Sequence, residues 1–356
     1  MAHDRENGSD ATRRTLLGAA MLGWTLPEAI SAAHAQAPQT AAVPADAMVV
    51  TLLGTGSPSP NPARFSAATL VQAGGLNMLF DAGRGCDTRL RQIGVPLGSV
   101  APVFLTHFHS DHTVGLPDFW MTGYIQTSYA MRRSPMVLIG PEGTKQMADG
   151  MRGAFMADIR IRMADEGTPE VATQIDARDF EPALGNRPGS EGVVYQQNGV
   201  TVTAFTVNHG PLIKPAVGYR VDYAGRSVLI SGDTKFDQNI IRYGTGVDLL
   251  IHEVCDAPAD VLDKLQNRAV MDHHTSPEEA GTVFKAAGPR LAAYTHIIQL
   301  TARGATNTPD VAQIEAATRR TYAGPLVVGD DLMRFVIRDD AVTIQRWNSE
   351  RQAYGK

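Results

Sequence analysis

Residues 106–116 read THFHSDHTVGL, which sets three histidines and an aspartate into six positions directly behind the apolar run Val103–Leu105. The whole chain holds ten histidines among 356 residues, so the crowding calls for a chemical reason. A strand that runs out at Thr106 releases the chain into a loop, where His107 and His109 turn toward one point and Asp111 and His112 toward another nearby. Imidazole and carboxylate are borderline ligands that suit zinc, and four such groups this close together begin two adjacent metal sites.

Two sites need further donors, and these recur behind apolar β runs. FTVNHG presents His209 after one run, LISGDT presents Asp233 after another, and LAAYTHI presents His296 after a third. Working outward, MVVTLLGTG opens the body as a strand, and ATLVQA with LNMLFDAG forms a hairpin that delivers Asp81 to a turn. Helical spacing follows over 84–93 and 116–129, then MVLIG as a strand and PEGTKQMADGMRG as a helix; residues 160–192 carry the least pattern. A second strand set comprises GVTVTAFTVNHG, AVGYRVDY, RSVLISGDT and VDLLIHEV. Helices are predicted over 256–268, 276–287 and 309–321, with strands near 291–295, 325–328, 333–337 and 342–346. Strands followed by helices in each half predict an α/β fold of two sheets packed face to face between helical layers.

The HxHxDH motif resembles that of the metallo-β-lactamase superfamily, and the resemblance spans nearly the whole body of the chain. It implies the four-layer αββα sandwich and a dinuclear centre. His107, His109 and His209 would hold one zinc, Asp111, His112 and His296 the other, and Asp233 would bridge them. Asp81 matches a family aspartate that orients the motif loop without binding metal. Two zinc ions, with manganese or iron as alternatives, lower the pKa of a trapped water and polarise a substrate oxygen, so the implied class is a hydrolase with metal-bound hydroxide as nucleophile. Asp111 counts among the catalytic residues on this reading.

IHEVCD and DHHTSPEEA look like elements of the ribonuclease Z-like branch. Ser276 is placed to cap a helix with Pro277 at its first position and Glu279 three residues on. The resemblance pairs His274 with Glu253 as a general acid for the leaving group. His273 is read as a solvated neighbour and His252 as a packed or hydrogen-bonded residue. The sequence departs from ribonuclease Z in joining VGYRVDY to RSVLISGDT through Ala224-Gly225 alone, where that family carries an arm that grips transfer RNA. IIQLTARG after His296 also lacks the usual Ser-x-Arg-Tyr.

Residues 1–35 differ in character from the rest. Arg13-Arg14, a short apolar stretch broken by Gly23 and Pro27, and SAAHAQA describe a twin-arginine export signal cut after Ala35. The apolar run falls short of the ~20 residues a membrane span needs. A flexible Pro/Ala-rich leader (36–47) and one hydrolase domain (48–356) complete the organisation, with a periplasmic or secreted location and no membrane anchor expected. Removing three basic and four acidic residues with the signal moves the formal charge from −5 to −4. Such a body offers no global field for polyanions. Cys86 and Cys255, far apart in sequence, are read as buried small hydrophobes rather than a disulfide.

Charge, export and the missing arm together lead to an expectation: hydrolysis of small sulfate or phosphate esters, arylsulfatase- or phosphodiesterase-like. The partner is then a small molecule, nucleic acid is disfavoured, and a homodimer is left open. Phe119, Trp120, Tyr124 and Tyr129 are candidates to wall a pocket for an aromatic leaving group, with helical core packing as the alternative, and Lys214 is read as solvated. Hydrolysis at a carbon centre, by a lactonase or a dehalogenase of chlorinated aromatics, is one alternative function. Ribonuclease Z-type processing of transfer RNA 3′ ends is another.

Overall fold

The computed structural model describes residues 43–44, 46–180, 192–306 and 308–355, all within the unit Ala37–Lys356. The export signal and most of the leader lie outside the described residues. Among those described, no helix is long and apolar enough to cross a membrane.

In chain order the first half contains β1 (Met48–Gly54), β2 (Ala68–Ala73), β3 (Leu76–Phe80), α1 (Cys86–Gln92), β4 (Val100–Phe104), α2 (Ser110–Thr113), α3 (Leu116–Tyr124), β5 (Met136–Pro141), α4 (Thr144–Ala154), α5 (Met156–Asp165) and β6 (Ile175–Phe180). The second half contains β7 (Val193–Gln197), β8 (Val200–Thr206), β9 (Val217–Tyr223), β10 (Arg226–Ile230), α6 (Gln238–Gly244), β11 (Leu249–Asp256), α7 (Leu265–Met271), α8 (Pro277–Ala287), β12 (Leu291–Thr301), β13 (Gly304–Ala305), α9 (Val311–Thr318), β14 (Leu326–Val328), β15 (Arg334–Ile337), β16 (Val342–Asn348) and β17 (Ala353–Gly355). They form one sheet in the order β17-β16-β15-β1-β2-β3-β4-β5-β6 and a second in the order β13-β12-β11-β10-β9-β8-β7, with β14 beside β12.

The central strands are buried on both faces, and successive side chains join different cores, which explains why the sheets stack. Met48, Val50 and Leu52 of β1 share one core with Val202 of β8, Tyr219 of β9 and Leu249 of β11, so the inner faces of both sheets meet. The alternate residues face outward onto helices. Leu53, Leu79 and Val103 pack with Leu90 of α1, Phe119 and Trp120 of α3 and Ala148 of α4. Leu229, Leu250 and Ala292 pack with Ile240 of α6, Phe284 of α8 and Ile314 of α9. The result is the four-layer αββα sandwich of the metallo-β-lactamase fold.

Differences from the sequence reading have local causes. Part of the weakly patterned segment folds as the end of α5 and as β6, paired parallel with β5 at the sheet edge; the half-exposed faces of these edge elements blur the pattern. Residues 181–191 lie outside the described residues. The helix expected over 256–268 begins later, because β11 runs on to Asp256 and Pro258 opens only a short 3-10 turn before α7. Cys86 and Cys255 are both free and buried, in separate cores.

Candidate metal centre

β4 ends at Phe104 and α2 begins at Ser110, so His107 and His109 fall in the intervening loop while Asp111 and His112 ride the helical turn. Thr106 anchors that loop. Its N–H donates to Asp81 Oδ1 and its hydroxyl to Asp81 Oδ2, each at 2.8 Å, and its carbonyl accepts from Val217 N of β9 at 3.0 Å. With its one hydrogen given to Asp81, the hydroxyl serves as acceptor for His107 Nδ1 at 2.9 Å, which leaves the His107 Nε2 lone pair facing forward. Asp81 Oδ2 also accepts from His112 Nδ1 at 2.7 Å, with the same effect. Asp81 therefore orients two imidazoles from behind, as the sequence reading expected of it.

The remaining donors arrive from the second sheet. His209 follows β8, and its Nδ1 donates to the His273 carbonyl at 2.7 Å. Asp233 follows β10 after Gly232, whose φ of 61° is left-handed and whose added Cβ would lie 2.6 Å from the Val217 carbonyl. Only glycine fits that approach. His296 was expected at a strand end, but β12 continues through it to Thr301. The residue sits where the register against β11 shifts between Glu253 and Val254, with a left-handed φ of 43°. The bulge turns its ring out of the sheet and into the cluster.

These side chains converge on one carboxylate. Asp233 Oδ2 lies 3.2 Å from His112 Nε2, 3.3 Å from His296 Nε2, 3.7 Å from His209 Nε2 and 3.8 Å from His107 Nε2. Asp111 Oδ2 is 2.9 Å from His296 Nε2 and 3.6 Å from His112 Nε2, and His109 Nδ1 is 3.3 Å from His209 Nε2. The donors fall into three overlapping sets: His107, His109, His209 and Asp233; Asp111, His112 and His296; and Asp233, His274 and His296. Within each set all ligand atoms lie within 4.8 Å of one another.

The chemistry of the cluster fits metal. His107 Nε2, Asp111 Oδ1 and Asp233 Oδ1 are buried without a hydrogen-bond partner, a cost that a cation would remove. Burial pushes His107 well below the ordinary histidine range and His209 to about 3, so both present neutral lone pairs. Burial alone would lower His112 too, yet Asp233, Asp81 and Asp111 outweigh it and raise it well above that range. Burial would likewise raise Asp233, but His112 and His296 overcome it and hold the carboxylate well below its usual range. Divalent ions would displace the protons that these carboxylates otherwise hold on the imidazoles.

His274 stands at the edge of the cluster, its ring 5.5 Å from that of His296, with Nδ1 donating to Glu253 Oε1 at 3.2 Å. Glu253 Oε1 also accepts from Thr234 N at 3.2 Å and Thr275 N at 3.0 Å. A cavity of about 310 Å³ opens beside the cluster, lined by His109, Asp111, Asp233, His274 and His296. Its outer wall comes from Ser57–Ser59, Val270, Ile298 and Leu300. Sequence reasoning missed these wall residues, since only tertiary contact brings α7 and the continuation of β12 here. The aromatic wall does not form: Phe119, Trp120 and Tyr124 pack between sheet and helix, and Tyr129 lies under Arg91. Lys214 is exposed, His273 is half-buried, and His252 is buried with Nδ1 donating to the Glu253 carbonyl at 2.7 Å.

An αββα sandwich that gathers histidines and aspartates into adjacent, overlapping sets defines the metal-dependent hydrolases of the metallo-β-lactamase fold. The family described as Anti-Pycsar protein Apyc1 matches residues 48–266. Ribonuclease Z of Mycobacterium avium is 33% identical over 288 residues, which cover 80% of this chain and 96% of that one. Among solved structures, the metallo-β-lactamase fold protein YhfI of Bacillus subtilis aligns with TM-score 0.61 at 17% identity, covering 82% of this chain and all of its own. The short form of human tRNase Z aligns with TM-score 0.58 at 23% identity, covering 80% and 98%. The chain belongs to this family, in the ribonuclease Z-like branch of the metallo-β-lactamase superfamily.

Two expectations are thereby overturned. Hydrolysis of small sulfate or phosphate esters gives way to the ribonuclease Z alternative, because relatives at 31–34% identity over most of the chain carry that name. The expectation that nucleic acid is disfavoured falls with it. Net charge, the export signature and the two-residue join weigh together toward a small substrate, and none of them bears on what a local site can engage. The two-residue join Ala224-Gly225 between β9 and β10 leaves the donor cluster complete.

Proposed function

We propose that the protein is a metal-dependent ribonuclease that hydrolyses a phosphodiester bond in RNA, with transfer RNA precursors as the first substrate to test. The observation that carries this reading is the convergence of four imidazoles on Asp233 Oδ2 in a chain 33% identical to a ribonuclease Z. His107, His109 and His209 would hold one divalent ion, Asp111, His112 and His296 a second, and Asp233 both; zinc suits this donor set best, with manganese or iron as substitutes. Bound ions supply Lewis-acid polarisation of a phosphoryl oxygen and a water of lowered pKa.

The chain's own residues do the rest. Asp81 and Thr106 fix the tautomers of His112 and His107 so that their lone pairs face the cluster. Glu253 accepts the Nδ1 hydrogen of His274 and so favours the doubly protonated ring, whose Nε2–H would pass its proton to the departing ribose oxygen and leave neutral imidazole. Val270, Ile298 and Leu300 limit water beside the scissile bond. β9 and β10 are joined by the two residues Ala224-Gly225, so the body itself would have to hold the RNA.

Incubation of the purified protein with a labelled transfer RNA precursor bearing a 3′ extension tests this. Chelator-sensitive release of the extension is expected, and intact precursor in the presence of fully metallated protein would refute it. Export by a twin-arginine signal is a separate proposal, supported by Arg13-Arg14 and the apolar stretch behind them, ahead of the family match over 48–266. Fractionation of cells should then show a periplasmic form starting near Gln36; a full-length cytoplasmic form would contradict it.

A further inference from the structure

Three imidazoles of the cluster have their Nδ1 atoms fixed from behind: His107 by Thr106, His112 by Asp81 and His209 by the His273 carbonyl. His296 differs, because its buried Nδ1 has no hydrogen-bond partner and its backbone is left-handed at φ 43°. On the side away from Asp111, whose Oδ2 lies 2.9 Å from His296 Nε2, the hold on this ring comes through the main chain. The next residue supplies the hold, since Ile297 N donates to the Thr55 carbonyl at 2.9 Å, across from β12 to the end of β1.

Thr55 is itself clamped. Its N–H and its hydroxyl both donate to Asp331 Oδ1, at 2.9 and 2.8 Å. The other oxygen, Asp331 Oδ2, accepts from Phe65 N at 2.7 Å and from the Arg89 guanidinium at 2.9 Å. The Arg64 guanidinium adds bonds to Thr55 Oγ1 and the Gly329 carbonyl, each at 2.7 Å. One carboxylate, 5% exposed as a side chain, thus ties together both ends of the loop between β1 and β2. Within that loop, Ser57, Pro58 and Ser59 line the cavity beside the cluster.

We infer that Asp331 is a positioning residue, which through Thr55 and Ile297 holds His296 in its bulge and through Phe65 sets the Ser57–Ser59 wall of the pocket. The inference rests on the metal-holding reading of the cluster proposed above. A carboxylate accepting four hydrogen bonds in a nearly buried place has no isosteric substitute. Asp331→Asn keeps the volume but turns an amide N–H toward either Thr55 or Phe65 and Arg89, leaving donors facing a donor. The effect falls on the Asp111, His112 and His296 side, because the other metal set makes no use of the β1–β12 tie.

Zinc titration of the apoprotein against a chromophoric competitor chelator tests this without any substrate. For Asp331→Asn one of the two zinc equivalents should lose 10–100-fold in affinity, the range for groups that orient metal ligands, while the other stays within about 2-fold. Asp331→Glu, which keeps two acceptor oxygens, should restore part of the loss. Should Asp331→Asn fail to fold, Thr55→Val decides: it removes one of the four donors and should weaken the same single equivalent by a few-fold. Equal weakening of both equivalents, or unchanged binding of both, would overturn the inference. A wild-type protein that binds no zinc would instead defeat the metal reading on which it stands.

Discussion

At the scale of single residues, the cluster shows how few side chains set the chemistry and how many set the setters. His112 illustrates the pattern: one ring nitrogen meets Asp81 at 2.7 Å and the other faces Asp233 at 3.2 Å, so its tautomer and direction are both decided. His274 is buried at the cavity and bonded to Glu253, with a ring nitrogen within 4.8 Å of the ligand atoms of Asp233 and His296. His274→Ala should therefore lower kcat by roughly 10²–10⁴, the usual worth of a positioned acid, with the bound metal unchanged. Metal analysis run beside the kinetics checks this, and loss of metal in the variant would move His274 from proton donor to ligand. The donors that the structure brings together could be picked out in the sequence because they are hard or borderline groups placed just behind apolar runs. The left-handed backbone of His296 could not, since nothing in LAAYTHIIQL separates a strand end from a bulge inside a longer strand.

Among the elements, α8 is the case where local signals and tertiary role agree. Ser276 Oγ accepts from Glu279 N at 3.3 Å, and Glu279 Oε2 accepts from Ser276 N at 3.0 Å, the reciprocal capping box that Ser-Pro-Glu-Glu announces. The cap fixes the start of the helix just behind His274 and Thr275. Ser276→Ala should cost about 1 kcal/mol, read as a lower urea midpoint with an unchanged slope. A changed slope would mean instead that the helix start is lost as a unit. Elements whose environment is one-sided were harder to read. β6 lies at the sheet edge with every residue half-buried or exposed, and α7 gains its place from packing Asn267 and Val270 over the cavity rather than from any periodic face.

For the molecule as a whole, the fold was legible because strands apolar on both faces must bury one face against the other sheet, and helices must cover the outer one. Function was less so. Net charge, a two-residue turn in place of an arm and an N-terminal export signature all spoke of a small substrate, yet none of them touches the centre where the bond breaks. The account therefore turns on whether the gathered donors act as one dinuclear centre on RNA. The most direct test is a titration of zinc into chelator-treated protein while following single-turnover cleavage of a labelled transfer RNA precursor. Cleavage should stay near zero through the first equivalent and rise to its plateau with the second, and Asp233→Ala should remain flat at every ratio. Cleavage that is complete without metal, or absent at two bound equivalents, would contradict the account.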